Sequence, residues 1–136
     1  MDRDGRSGRK RVLRVPSHQL TRADFEGAVE RALAEVPAEI ADQIDNLTVV
    51  VEAHPTPDQD PDGEGLLGLY EGVSLADRGI DYYGALPDRI SIFMRGHLAL
   101  GLDRAETLAE VRTTLLHEIG HHLGIDDDRL HELGWA

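Results

Sequence analysis

The densest chemistry in this 136-residue chain lies at positions 117 to 128, "HEIGHHLGIDDD", which carry three histidines and four carboxylic acids. His117 and His121 are four residues apart, so on a helix their imidazoles project from one face about one turn apart and can reach a single ion. Glu118 lies about 100 degrees round the axis, the wrong direction to share that ion and the right one to hold a water beside it. A catalytic zinc usually takes three protein ligands and keeps its fourth position for water. The third ligand must come from beyond the helix, and Gly124 supplies the means, because a positive φ there lets the chain reverse. Asp127 follows three residues later with an oxygen suited to zinc, and spacing alone leaves Asp126 and Asp128 open as well.

The rival reading is a helix end with solvated charges. With 7 His and 11 Glu, H-E-x-x-H arises by chance about three times in a hundred such chains, and adding Gly124 and Asp127 lowers this to about three in ten thousand. Solvated charges do not explain why His117 and His121 share a direction ahead of a chain-reversing glycine. The chain has no cysteine, so a transition metal has only His, Asp and Glu to bind it. Other candidates are weaker. His122 points about 100 degrees away from His121 and reads as a residue behind the site or on the surface. Glu132 follows His121 by only eleven residues, which is short for a separate helix to return as a third ligand. Tyr82, Tyr83 and His97 are possible donors to an oxyanion, and none is assigned.

These residues need a scaffold. "TRADFEGAVERALAEVP" predicts an amphipathic helix with Thr21 as N-cap, Asp24 at the capping-box position and Phe25, Val29, Leu33 and Val36 at helical spacing. "AEIADQID" adds a short second helix, and "LTVVVEA" predicts a strand buried on both faces. The proline- and glycine-rich stretch 54 to 65 predicts an exposed loop. Its Asp58, Asp60, Asp62 and Glu64 alternate but lack EF-hand spacing, so a solvated loop is expected rather than a calcium site. "LLGLYEG" predicts a strand and "DRGIDYYGALPD" an irregular segment. "RISIFMR" predicts a last strand with Ser91, Phe93 and Arg95 on a partly exposed face. Asp103 and Glu106 cap the metal-site helix, whose stripe is Leu108, Val111, Leu115 and Ile119, and Gly124 ends it. A short helix then returns Leu130, Leu133 and Trp135 to the body. The fold class is α+β: a small mixed sheet of about three to four strands packed against the metal-site helix and an N-terminal helix.

The length fits one domain. Residues 1–17 are expected to be a disordered basic arm and 18–136 the domain. Arg3, Arg6, Arg9, Lys10, Arg11 and Arg14 belong to the arm, and residues 15–136 carry 8 basic against 24 acidic residues. An acidic body repels nucleic acid, so no nucleic-acid partner is expected. No apolar run approaches the roughly 20 residues that span a bilayer, and the arm lacks the apolar stretch of a secretory signal, so a cytoplasmic location without membrane attachment is expected.

His117, Glu118, His121, Gly124 and Asp127 match the HExxHxxGxxD pattern of Asp-type zincins. The wider chain resembles the minimal zincin-like metallopeptidase family of small bacterial proteins, through "LLGLYEGVSLADR", "LPDRISIFMRG" and "LLHEIGHHLGIDDDRLHELG". The resemblance implies Zn2+ bound by His117, His121 and Asp127, and hydrolysis of a peptide or protein substrate by a metal-bound water that Glu118 activates as general base. It also implies a sheet edge that aligns an extended peptide above the metal, for which "RISIFMR" is the candidate. Two features differ from larger zinc peptidases: both methionines, Met1 and Met94, precede the motif, so there is no methionine-bearing turn beneath the metal, and fifteen residues after His121 leave no room for a lower subdomain. The alternative function is a non-catalytic zinc-stabilised interaction domain, and the two readings divide over the work of Glu118.

Overall fold

A computed structural model describes residues 19–44, 46–72 and 88–135. The expected arm, Tyr82, Tyr83 and nearly all of "DRGIDYYGALPD" lie outside the described residues. The elements run α1 (Arg22–Ala34), α2 (Ala38–Ala41), β1 (Leu47–Glu52), β2 (Gly68–Glu71), β3 (Asp88–Phe93), α3 (Met94–Leu98), α4 (Arg104–Leu123) and α5 (Asp127–Leu133).

Both long helices begin where their caps predict. The side chain of Thr21 accepts from the Asp24 N–H and that of Asp103 from the Glu106 N–H, and each pair closes a reciprocal capping box. The two helices run in the same direction side by side. The Arg104 guanidinium donates to Asp24 at 3.0 Å near their starts, and Arg112 reaches Glu35 at 2.8 Å beyond the end of α1. The Arg104 hydrogen bond, aided by the Thr21 N–H, holds the Asp24 carboxyl down at about 2. The apolar stripes of the helices meet the sheet in one core, with Phe25 and Val29 from α1, Ile90 and Ile92 from β3, and Val111, Leu115 and Ile119 from α4.

The sheet is mixed, in the order β1-β3-β2, with β3 parallel to β1 and antiparallel to β2. Two expectations are corrected by this order. "RISIFMR" is not an edge with a partly exposed face: β3 is paired on both sides, and Ser91 and Phe93 are fully buried along with Ile90 and Ile92. It also stops at Phe93, and Met94 and Arg95 start α3. The apolar run of "LTVVVEA" forms an edge rather than a centre. Only Val51 is buried outright and Thr48 is exposed, while the Arg22 guanidinium donates to the Val51 carbonyl. A short β-branched run looks alike in either place, since lateral order depends on strands far away in sequence. Among the described residues the other edge is β2, which lies against α4.

No helix among the described residues is long and apolar enough to cross a membrane. In the loop before β2, the Asp60 carboxylate accepts the N–H groups of Glu64 at 2.9 Å and Gly65 at 3.0 Å, which lowers its pKa. That acid organises its own turn.

Candidate active site

Helix α4 carries the histidines on the turn that precedes its end. Their ring centroids are 4.5 Å apart at 70°, and Glu118 Oε1 lies 3.3 Å from His121 Nδ1. One donor atom from each of His117, Glu118 and His121 falls within 4.8 Å of the other two. Two imidazoles gathered so closely suit a borderline divalent ion such as zinc, and the Glu118 carboxylate is near enough either to ligate that ion or to hold a water beside it, so these residues fit a metal. Glu118 is the enclosed member, 9% exposed, whereas His121 faces solvent.

The helix ends as expected. Gly124 has φ 77°, its N–H reaches the His121 carbonyl at 3.0 Å, and the Ile125 N–H reaches the Gly120 carbonyl at 2.8 Å. Of the three acids that follow, Asp126 caps α5 by accepting from the Arg129 N–H at 2.9 Å. Asp127 is the first residue of α5 and is exposed, as is Asp128; neither joins the close group of His117, Glu118 and His121. Glu132 pairs with Arg129 at 2.9 Å on the outer side of α5.

Three supporting features gave no local signal in sequence. First, a β-carbon on Gly68 would lie 2.7 Å from Thr114 Cγ2, so glycine lets β2 settle on α4 beside Glu118. Second, His122 is neither solvated nor in the metal group. It is 2% exposed, with Nδ1 2.8 Å from Asp88 Oδ2 at the start of β3, close in distance but off line for a hydrogen bond, and its ring meets Tyr70 edge-on at 5.6 Å. It ties the site helix to the sheet. Third, His97 is fully buried. Its Nδ1–H donates to the Phe93 carbonyl at 2.8 Å, so Nε2 must accept, at 3.0 Å, from the Thr114 hydroxyl. Burial pushes its pKa down. With both nitrogens engaged in the interior, His97 is not the oxyanion donor considered for it. Partners 17 and 34 residues apart explain why pattern reading missed these links.

A cavity of 270 Å³ opens beside His117 and Glu118, between Leu67 and Gly68 on one wall and Glu110, Thr113, Thr114, His117 and Glu118 of α4 on the other. A larger cavity, 750 Å³, lies at the opposite sheet edge between α1 and β1 and is lined by no histidine, so volume alone would misplace the chemistry.

A helix with two facing imidazoles and a carboxylate, set under the edge strand of a small mixed sheet, is the architecture of a zincin-like protein. The model of the zincin-like metallopeptidase family matches residues 44–135, and the chain belongs to that family. In fold it is similar to the solved structure of a conserved hypothetical protein from Thermus thermophilus. The TM-score is 0.53 at 29% identity, over 76% of this chain and 94% of that one. No curated protein matches.

Proposed function

We propose that the protein is a zinc-dependent peptidase in which His117, His121 and Asp127 hold the metal and Glu118 is the general base. The observation that carries this reading is the close group of His117, Glu118 and His121 on one turn of α4, with the carboxylate sheltered and one imidazole open to solvent. Bound zinc would supply a Lewis acid for the peptide carbonyl and bring the pKa of water down to about 7. His117 and His121 serve as neutral ligands, so acid weakens the site. Asp127 is the chosen third ligand because Asp126 is committed to its cap, and the resemblance to Asp-type zincins favours the same position. Glu118 takes a proton from the attacking water and returns it to the departing amine.

The aligning edge is β2 rather than β3. It flanks α4, has no strand on its outer side among the described residues, and borders the cavity through Gly68. An extended peptide can add to such an edge through main-chain hydrogen bonds. The same reading takes peptides or proteins as substrates. The test is hydrolysis of unstructured fluorogenic peptides with and without a chelator, beside metal analysis of Glu118→Gln and His117→Ala. Glu118→Gln is expected to keep zinc and lose hydrolysis, and His117→Ala to lose both. A wild-type protein that binds zinc and cleaves nothing would instead mark a zinc-stabilised interaction domain.

A further inference from the structure

The cavity beside the histidines has a chemical gradient. Glu110, Thr113, Thr114, His117 and Glu118 line its α4 side, spaced by three, one, three and one residues, and Leu67 and Gly68 face them. Both threonine hydroxyls are already engaged, Thr113 with the Ala109 carbonyl at 3.3 Å and Thr114 with His97 at 3.0 Å. What remains for a ligand along this stretch is largely methyl and leucine surface. At the end away from His117 stands Glu110, half-buried, and no Arg or Lys among the described residues pairs with it. It lies seven residues before His117, about 10 Å along the helix axis. With the Glu118 carboxylate at the histidine end and Glu110 at the far end, the apolar passage between them suits a long alkyl stem whose cationic head reaches Glu110.

We propose that Glu110 is a specificity-determining residue, and that this cavity takes a lysine or arginine side chain of the substrate close to the bond presented at the histidines. The inference rests on the peptidase reading for its substrate class. The acidic body adds a long-range pull on cationic peptides that salt screens, whereas a partly desolvated pair at Glu110 resists screening.

The test is binding, measured by fluorescence anisotropy on the full chain loaded with zinc and carrying Glu118→Gln, so that no peptide is consumed. Two alanine-based peptides are compared, with lysine or uncharged norleucine at one central position. The lysine peptide is expected to bind about tenfold more tightly. Adding Glu110→Gln should erase that difference, while adding Glu30→Gln, which removes the same charge at the other sheet edge, should leave it in place. Equal affinity for the two peptides, no binding of either, or a lysine preference that survives Glu110→Gln overturns the inference. Cleavage by the chain with Glu118 intact is scored separately: failure to cut any peptide sinks the hydrolase reading while the binding preference still stands or falls by itself.

Discussion

Leu130 of α5 occupies the space that a side chain at Gly120 of α4 would fill: a β-carbon there would overlap the leucine Cδ2, and Leu130 is fully buried. This contact fixes where α5 lies, and with it where the acids at 126 to 128 stand relative to the two histidines. Gly120→Ala gains roughly 0.5–1 kcal/mol of helix propensity and costs about 1–3 kcal/mol in overpacking. The expected outcome is a net loss of about 1 kcal/mol in urea unfolding together with weaker zinc binding. Leu130→Ala in the same chain should relieve the clash, giving a favourable coupling in a double-mutant cycle. Additive effects, or an alanine that stabilises without touching metal affinity, would mean that α5 is not positioned this way.

A second close approach sits on the opposite side of the site. Gly68→Ala places a methyl group 2.7 Å from Thr114 Cγ2 and 3.2 Å from the Ser91 carbonyl oxygen, so β2 must lift away from α4. A cost of about 1–3 kcal/mol is expected, with peptide hydrolysis falling at the same time. Thr114→Ser deletes the offending methyl and keeps the hydroxyl for His97. It should therefore recover part of both losses, and a serine that recovers neither refutes the contact.

The elements legible in sequence were those written in local signals. Thr21 with Asp24, Asp103 with Glu106, and Gly124 are short-range grammar, and each marks its boundary in the structure. The helical repeat of His117 and His121 likewise needed only the geometry of one turn. Lateral strand order was not legible, because Ile90 and Val49 have the same character whether their strand is central or at an edge. The supports of the site, Gly68 against Thr114 and His122 beside Asp88, join residues 34 or more apart, and one sequence contains no periodicity that links them. Glu110 belongs to no motif in the sequence, and it acquires meaning only from the cavity around it.

His97 predicts a pH dependence of stability. Burial lowers its pKa below the ordinary 6.5, so the folded chain keeps it neutral while the unfolded chain takes up a proton near 6.5. The contribution is complete above 6.5, declines as pH falls from there through the depressed folded value, and then levels. In zinc-free protein, where the ligands no longer depend on metal, the wild type should lose more stability than His97→Gln on going from about pH 7 to about pH 5. Urea unfolding across that range measures it. Parallel curves for the two proteins would show that His97 can protonate in place.

The acids of the turn separate by role. Asp126 accepts from the Arg129 N–H as a helix cap, so Asp126→Ala should cost about 1 kcal/mol of stability and change zinc affinity only through the looser start of α5. Asp127 has no such commitment among the described residues and is the proposed third ligand, so Asp127→Asn should leave stability without metal nearly unchanged and weaken zinc binding by more than about tenfold. Asp128→Asn is the matched control on the same exposed turn. Competition titration against a chromophoric chelator ranks the three. If Asp128→Asn proves the damaging change, the third ligand moves one residue along. If none of the three weakens zinc, the ion is held by His117 and His121 with a partner from elsewhere, and the Asp-type assignment is lost.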